Sequence, residues 1–396
     1  MSEGTDISKE LEAWARDAVA VQETHDRLAR LEYRVRLRSD IDPADCAIGM
    51  IGVGRIANSR QIPAYRNAGL RIEAVADSNP DTLALTRRHW GIEKGFTDYR
   101  DLIALREVRV VDVLTPTFPR KGIILDAIRA GKHVISEKPF ARTYADAREM
   151  VEAAERAGVL LAVHQPTRQY YPFALARAMI AAGLVGELYF IEIFQHGNQD
   201  KVYYENPVTR WHAALDDHLH VEWGAHHFDL LRFLSGRTPS VVYCQGTRMP
   251  GQNFKSLMAN IYAVEFPGTL RACVLNNQVI QSHPGDTGDF RCRIEGTLGT
   301  IIATDLARDM SVHTKAWGGI RQRFEWTSME SAGGVAGLVG GHAAHMVDLL
   351  NAIHERREPI SSGRDNLLTV ATCLAAGRSA EEARPVSPEE IVRETG

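Results

Sequence analysis

The chain has 396 residues, a length typical of about two or three domains. Its apolar fraction of 44% and charged fraction of 24% are those of a globular protein, and they exclude a mostly disordered chain and a fibrous repeat. The formal net charge is −4, so the sequence lacks the basic excess that is typical of nucleic-acid-binding proteins. No apolar run reaches the roughly 18 residues that a membrane span requires.

The five cysteines are scattered through the chain and never stand in Cys-x-x-Cys spacing. This pattern fits neither a disulfide framework nor a zinc ribbon. The first residues are polar and acidic, and no apolar signal core follows them. We therefore expect a reducing, cytoplasmic location.

Residues 1–45 form an N-terminal extension, in which Ser8 is placed to cap a helix. Apolar side chains then recur at alternating spacings of three and four, which predicts an amphipathic helix. This helix could pack on its own subunit, reach a neighbouring subunit, or remain disordered. The residues of the stripe are Leu11, Trp14, Ala18, Val21, His25 and Leu28.

Residues 46–165 alternate between apolar strands and helical patterns, which predicts a parallel sheet covered by helices on both faces. Thr143 and Asp146 form a plausible capping pair for one of the helices. The predicted strands are 47–51, 71–76, 110–114, 133–136 and 160–163, and helices are predicted at 121–130 and 144–157.

Residues 166–396 have a different texture, with several strand-like runs in succession, which predicts an α+β domain with a large, mainly antiparallel open sheet. The glycine-rich stretch 333–341 is predicted to be a loop, and it lacks the Gly-Lys-Ser/Thr ending of a phosphate-binding loop. Strands are predicted at 188–194, 240–245, 257–266, 269–276 and 290–295, and helices at 173–182, 224–234, 342–354 and 364–376.

The segment Gly-Val-Gly-Arg-Ile-Ala at 52–57 follows the first predicted strand directly and fits the dinucleotide-binding fingerprint G-x-G-x-x-G/A. In that fingerprint Gly52 permits the tight turn, Gly54 lets the backbone approach a pyrophosphate, and Ala57 lets the helix pack closely. The free N–H groups at the start of the helix attract the anion. The segment therefore predicts a dinucleotide cofactor.

Asp77 ends the second predicted strand, where an acidic side chain accepts hydrogen bonds from a ribose 2′-hydroxyl and repels a 2′-phosphate. This position predicts NAD rather than NADP. The alternative is that Asp77 only caps the helix near Pro80. Arg55 and Arg60 count slightly against NAD, because a nearby arginine tolerates a phosphate.

Further motifs follow in a fixed order, and with them the sequence from about residue 47 to 387 resembles the Gfo/Idh/MocA family, the glucose–fructose oxidoreductase and inositol dehydrogenase group. The motifs are the fingerprint, Thr115-Pro116-Thr117, Ala130-Gly131-Lys132-His133-Val134, Glu137-Lys138-Pro139, Gly224-x-His226-x-x-Asp229, Glu295-Gly296-Thr297 and Gly299-Thr300. The resemblance implies a Rossmann domain, a second domain with an open sheet, and a nicotinamide cofactor between them. It also implies sugar or polyol substrates.

The resemblance places Lys138 beside the nicotinamide and the reacting hydroxyl, and it implies that the Lys138–Pro139 bond is cis. Independently, Lys138 follows a strand of the parallel sheet, at the end where ligands bind. A partly desolvated lysine there can hydrogen-bond a substrate oxygen. The residues expected to contact the cofactor are Gly52, Gly54, Arg55, Ile56, Asp77, Thr115, Pro116, Glu137, Lys138 and Gln165.

The stretch 211–227 is rich in histidine, and the resemblance gives His226 the role of proton acceptor, which suits an imidazole that titrates near neutrality. Glu222 stands where the family usually has aspartate, so it could orient the His226 imidazole or lie beside the substrate. Other departures are Asp216-Asp217-His218, Arg120, and Arg168 with Gln169 where the family has an arginine before a proline. The residues expected to contact substrate are Arg168, Trp211, His212 and His227.

A metal is the rival interpretation of this cluster, because His218, His220 and Glu222 alternate as on one face of a strand, and Glu222 and His226 suit a helix. One segment cannot easily satisfy both periodicities, so no metal site is predicted. His342 and His345 lie three residues apart on a late predicted helix and receive no role.

The sequence thus predicts an NAD-dependent oxidoreductase that transfers hydride between nicotinamide and a secondary alcohol of a sugar, cyclic polyol or glycoside. One alternative is a redox-neutral enzyme that retains NAD and cleaves, epimerises or eliminates through a keto-sugar. Another is a non-catalytic regulatory protein that senses sugar or NAD. The expected partners are a carbohydrate or polyol and further copies of the chain, in a homodimer or homotetramer formed through the open sheet.

Overall fold

The computed structural model describes residues 46–206, 209–280, 289–304, 309–314, 322–324 and 336–395. The predicted N-terminal helix lies outside these residues. The described strands form two sheets, each with helices packed against it. In this part of the chain no helix is long and apolar enough to span a membrane.

The first sheet has six parallel strands in its described part, in the spatial order β3-β2-β1-β4-β5-β6. This is the strand order of a doubly wound dinucleotide-binding fold, and it confirms the predicted Rossmann arrangement. The strands are β1 (Ala47–Ile51), β2 (Ile72–Ala76), β3 (Lys94–Phe96), β4 (Val108–Val113), β5 (His133–Ser136) and β6 (Leu161–Val163).

The helices of this region follow the strands in alternation, and the fingerprint helix begins with a π-helical turn at Ala57–Gln61. The Thr143 side chain accepts a hydrogen bond from the Asp146 backbone N–H, so the predicted cap is present. The helices are α1 (Ile62–Asn67), α2 (Pro80–Trp90), α3 (Tyr99–Ile103), α4 (Thr117–Arg129) and α5 (Tyr144–Ala157).

The second sheet has eight strands in its described part, in the order β14-β13-β12-β11-β7-β10-β9-β8. Only the β7–β10 pair is parallel among these described pairs, so the sheet is mainly antiparallel, as predicted. The strands are β7 (Leu188–His196), β8 (Val241–Thr247), β9 (Ala259–Glu265), β10 (Arg271–Asn277), β11 (Phe290–Gly296), β12 (Gly299–Thr304), β13 (Asp309–Thr314) and β14 (Gln322–Phe324).

One face of this sheet packs on helices around Phe228, Leu231 and Tyr262, and the alternating side chains of the other face are partly exposed. The helices that follow α5 are α6 (Tyr171–Ala181), α7 (Gly224–Ser235), α8 (Ala336–Glu355), α9 (Gly363–Glu382) and α10 (Pro388–Glu394). Helix α8 crosses back to the first sheet, where Met346 and Leu350 share a core with Ile48 and Met50. Helix α8, from the C-terminal part of the chain, therefore packs against the first sheet as part of its helical layer.

The second half of the glycine-rich stretch 333–341 is helical, because α8 begins at Ala336. The prediction of a loop was wrong for these residues. A Cβ atom at Gly341 would lie 2.5 Å from the Pro166 carbonyl oxygen and 3.0 Å from the Tyr170 ring. Glycine at this position lets the helix approach the turn Pro166–Gln169 closely. The glycine serves helix packing here.

Candidate active site

A cavity of about 450 Å³ lies where the carboxyl ends of the parallel strands face the turns that precede α7. Loops after β1, β2, β4 and β5 form one wall. The π-helical turns Asp200–Tyr204 and Leu219–Trp223 and the 3₁₀ turn Arg210–Ala214 form the other. Ligands of doubly wound sheets bind in a crevice of this kind, so the cavity is the candidate active site.

The fingerprint turn has the geometry that a dinucleotide requires. Gly52 has φ +88°, and a Cβ atom there would lie 2.9 Å from the Thr115 backbone N. Gly54 faces open space, since a Cβ atom there would meet nothing within 4 Å. The hydroxyls of Thr115 and Thr117 are buried without a hydrogen-bond partner among the described residues. These residues fit NAD, whose phosphate and ribose oxygens supply the missing acceptors and donors.

Asp77 lines the cavity, and the helix that follows is capped by Asn79 instead. The Asn79 side chain accepts from the backbone N–H groups of Asp81 and Thr82, while Asp77 Oδ1 accepts from the Asn79 N–H at 2.9 Å. The capping alternative for Asp77 is therefore wrong. The second carboxylate oxygen remains available to a ligand in the cavity.

Arg120 is a buried residue of the cavity wall and joins two of its loops. Its guanidinium donates to the backbone carbonyls of Thr115, Glu137 and Pro139, with a distance of 2.6 Å to Glu137. This departure from the family pattern holds the Thr115–Thr117 and Glu137–Pro139 segments together. The Lys138–Pro139 bond is cis, as expected.

Lys138 reaches across the cavity from the first sheet to the turn before α7. Its Nζ donates to the Glu222 backbone carbonyl at 3.0 Å and lies 3.8 Å from Glu222 Oε2. The Lys138 side chain is 20% exposed. Lys138 therefore presents a positioned ammonium group to the cavity.

Glu222 lies in the π-helical turn Leu219–Trp223, buried beside Lys138. Burial raises the pKa of its carboxyl, while the charges of Lys138, Arg120 and Arg142 act in the opposite direction. The structure pairs this carboxyl with Lys138. Among the contacts of the described residues none joins Glu222 to His226, so the structure gives no support to the alternative in which Glu222 orients the imidazole.

His226 stands in the first turn of α7 and faces the cavity. Its Nδ1 lies 3.3 Å from Thr167 Oγ1, on the turn Pro166–Gln169. Burial lowers the pKa of His226 well below its usual value, and the positive charge of Lys138 lowers it further. The imidazole is therefore neutral at physiological pH, and the expectation that it titrates near neutrality is corrected.

Two segments of the chain match one protein family. Residues 46–165 match an oxidoreductase family with an NAD-binding Rossmann fold, and residues 173–302 match the GFO/IDH/MocA C-terminal domain. Together the two segments cover more than half of the chain. The protein belongs to the Gfo/Idh/MocA oxidoreductase family.

Relatives of this oxidoreductase match along most of their length. It is 27% identical over 368 residues to the D-apiose dehydrogenase of Paraburkholderia graminis, which covers 87% of this chain and 90% of that protein. It is 22% identical over 349 residues to the myo-inositol 2-dehydrogenase of Thermotoga maritima, with 87% and 99% covered. An oxidoreductase from Agrobacterium radiobacter in complex with NAD+, L-tartaric acid and magnesium shares the fold, with a TM-score of 0.75, 22% identity, and 88% and 99% covered.

Most of the predicted site residues of this family member meet in the cavity, and three do not. The residues that line it are Gly52, Gly54, Arg55, Ile56, Asp77, Thr115, Pro116, Glu137, Lys138, Trp211, His212, Glu222 and His226. Gln165, Arg168 and His227 lie outside its wall. Gln165 donates to Asn366 Oδ1 at 2.9 Å, and a His227 nitrogen lies 2.6 Å from Gln195 Oε1.

Arg168 is the clearest departure from a substrate-binding role. Its buried guanidinium donates to both carboxylate oxygens of Asp229, at 2.6 and 2.7 Å, and to Asp365 at 2.5 Å. These contacts join the turn Pro166–Gln169 to α7 and α9. Asp229, the last residue of the motif Gly224-x-His226-x-x-Asp229, has both carboxylate oxygens in this network.

Several residues of the cavity wall received no catalytic or binding role from the sequence, although some of them, such as His218, were noted there. His218 is 1% exposed, and both of its ring nitrogens lack a hydrogen-bond partner among the described residues. Its ring lies 5.5 Å from that of His212, which stacks on Trp211 with ring centroids 3.7 Å apart, and both of these residues were expected to contact substrate. The other wall residues with polar or aromatic side chains that were not among the predicted site residues are Arg60, Thr82, Thr117, Arg120, Tyr170, Tyr203, Thr209, Trp223 and His342.

The histidine cluster does not form the strand that the metal alternative required, because Leu219–Trp223 is helical. His220 points to Tyr262, whose hydroxyl lies 3.0 Å from its Nδ1. Among the described residues no group of three His, Cys, Asp or Glu side chains is arranged to hold a metal ion.

Proposed function

We propose that this NAD-dependent oxidoreductase oxidises a secondary alcohol of a sugar, cyclic polyol or glycoside. The observation that carries the proposal is the meeting of Lys138, His226 and the fingerprint turn on one cavity. The named activities of the D-apiose and myo-inositol dehydrogenases support this substrate class. We also propose that residues 46–165 hold the cofactor and that residues 166–396 shape the substrate site.

In this proposal the Lys138 ammonium donates a hydrogen bond to the oxygen of the reacting hydroxyl. His226 takes the hydroxyl proton on Nε2, and its Nδ1–H donates to Thr167 Oγ1, which sets the tautomer. Bound NAD supplies the hydride acceptor. The Glu222 carboxyl positions Lys138 and excludes water from that side of the cavity.

The test is the absorbance of NADH at ~340 nm when purified protein is mixed with NAD and a panel of inositols, aldoses, deoxysugars and glycosides. We expect NADH to form in proportion to substrate with at least one class. Protein that turns over a glycoside without net NADH formation would instead favour the redox-neutral alternative. A lack of any reaction would contradict both enzymatic roles.

The pH dependence follows from His226, which must be neutral to accept a proton. Because burial lowers its pKa, we expect kcat/KM for oxidation to stay high through pH 6.5 and to fall only at lower pH. Steady-state rates between pH 4.5 and 9 measure this. A fall centred at pH 7 or above would contradict the assignment.

Acid unfolding needs a separate control in that experiment. Burial lowers the pKa of His212 and His220 to about 4 and that of His227 and His345 to about 3. The unfolded chain therefore binds more protons below pH 6.5, so these groups stabilise the folded state above that pH and the stability is lost as pH falls. Circular dichroism at each pH separates unfolding from titration of the base.

Asp77→Ala is expected to weaken the preference for NAD over NADP. The carboxylate repels a 2′-phosphate, and Arg55 lines the same cavity as Asp77. Titration calorimetry of both cofactors on the wild type and the variant measures the preference. Tighter binding of NADP than of NAD to the wild-type protein would contradict the prediction that Asp77 selects NAD.

We further propose a cytoplasmic homodimer or homotetramer formed through the open face of the second sheet. On that face Ile261 is 52% exposed, and Phe190, Phe194 and Leu275 are partly exposed. Exposed apolar area of this kind is typical of an interface. Light scattering at micromolar concentration should report more than one copy, and a monomer would count against the proposal.

A further inference from the structure

Three hydrogen-bond donors line one side of the cavity, and the proposed reaction uses none of them. Arg60 comes from the π-helical turn after the fingerprint, Tyr170 from the residue before α6, and His342 from α8. The three therefore come from separate elements. Since they belong to no shared motif, only the fold brings them to one wall.

None of these donors has a hydrogen-bond acceptor among the described residues. His342 is 7% exposed, its Nδ1 has no hydrogen-bond partner, and the nearest carboxylate oxygen, Glu137 Oε1, is 4.0 Å away. The half-buried Arg60 forms no ion pair with any described residue. A buried polar atom without a hydrogen-bond partner is unfavourable, so the His342 imidazole indicates that a ligand supplies the missing partner, while Arg60 and Tyr170 are partly exposed beside it.

The other cations of the wall have protein partners, which makes Arg60 distinct. Arg120 donates to three backbone carbonyls, and Arg55 lies over the Tyr203 ring at 5.5 Å. Lys138 donates to the Glu222 carbonyl. Arg60 is thus the cation of the cavity wall that has no hydrogen bond, ion pair or ring contact among the described residues.

The three donors are held in place by the packing around them. Gln61, beside Arg60, donates to Glu137 Oε1 at 2.9 Å, which fixes the π-helical turn next to the Glu137–Lys138 segment. Gly341 lets α8 press on the Tyr170 ring and carries His342 with it. Since a Cβ atom at Gly341 would lie 3.0 Å from the Tyr170 ring, the adjacent His342 lies near Tyr170, and Arg60 lines the same cavity.

We propose that Arg60, Tyr170 and His342 form a subsite for a carboxylate of the substrate, so that the molecule oxidised is a sugar acid. This inference rests on the proposed function and names its substrate class. The planar guanidinium fork of arginine matches a carboxylate in two parallel hydrogen bonds. The phenol and the imidazole add neutral donors, since burial raises the pKa of Tyr170 to about 12 and lowers that of His342 well below its usual value.

The experiment compares sugar acids with their neutral counterparts on the NAD-loaded protein. The probes are threonate against threitol, gluconate against glucitol, and glucuronate against glucose, with Kd measured by calorimetry. Charge-assisted hydrogen bonds from one arginine predict that at least one acid binds about 10- to 100-fold more tightly than its counterpart. In Arg60→Met, which keeps the apolar stem, the two members of that pair should bind equally.

Arg88→Met is the matched control, because Arg88 is exposed on α2 and does not line the cavity. It should keep the full preference for the acid. His342→Gln, which retains a donor, should keep more of the preference than His342→Leu.

Two outcomes overturn the inference. One is the lack of any preference for an acid in the wild-type protein. The other is a loss of NAD affinity in Arg60→Met, measured by titration of the free protein, with the acid preference unchanged, which would assign Arg60 to the cofactor. If neutral polyols are oxidised and acids are not preferred, the proposed function stands and the subsite fails. If no compound of the wider panel is oxidised, the proposed function itself fails.

Discussion

Replacing Lys138 or His226 with alanine is expected to lower turnover by about 10²–10⁴-fold, the usual contribution of a positioned acid–base group. The affinity for NAD should change little, because in the proposed site the fingerprint glycines and Asp77, which line the same cavity, hold the cofactor. Steady-state rates of NADH formation give the first quantity, and calorimetric titration with NAD gives the second.

The double variant provides the sharper test of this assignment. In the proposed mechanism Lys138 and His226 act on one substrate oxygen, so the double variant should lose much less activity than the product of the two single losses. Glu222→Gln should be milder if the carboxyl only positions Lys138, and as severe if it touches the substrate. Full activity in Lys138→Ala would refute the mechanism and favour a regulatory role.

Replacing Arg168 with methionine is expected to lower the free energy of unfolding by about 3–5 kcal/mol, the usual cost of breaking a buried ion pair. The Asp229 carboxylate would lose both of its short contacts while its side chain remains 1% exposed. Thr369 Oγ1, at 3.2 Å from Asp229 Oδ1, would be the nearest remaining donor. Urea unfolding followed by circular dichroism measures the loss.

The control for this variant is Arg88→Met, which removes an exposed arginine of α2 and should change stability by less than about 0.5 kcal/mol. The outcome that would return Arg168 to substrate binding is also specific. It would be an unchanged unfolding free energy together with a large rise in KM.

The parts of this protein that depend on local pattern were predictable from the sequence. An apolar run followed by glycine marks β1 and its turn, because both burial and a positive φ are properties of consecutive residues. The helix near Pro80 was expected but its bounds were not predicted, because only Leu83 and Thr86 of the eleven residues of α2 are buried and they give no clear apolar periodicity. Strands β12 to β14 were not predicted either.

The cofactor end of the site was equally readable, because it is built from one strand, one turn and one acidic residue close in the sequence. The substrate end was not. Lys138 and Glu222 are 84 residues apart, and only the family resemblance connected them. The histidine cluster fitted both a strand periodicity and a helix periodicity, which could not both hold. The π-helical turn at Leu219–Trp223 shows that the segment is helical.

What the sequence determined by itself was the fold class, the cofactor and two chemically plausible catalytic residues. Which charged side chains face the cavity was decided by the tertiary structure alone. Arg60 and Arg168 are chemically alike, yet Arg168 is neutralised by Asp229 and Asp365, 61 and 197 residues away, and Arg60 is left to face the cavity. The role of a buried charge depends on the groups that surround it, and those groups are brought together only by folding.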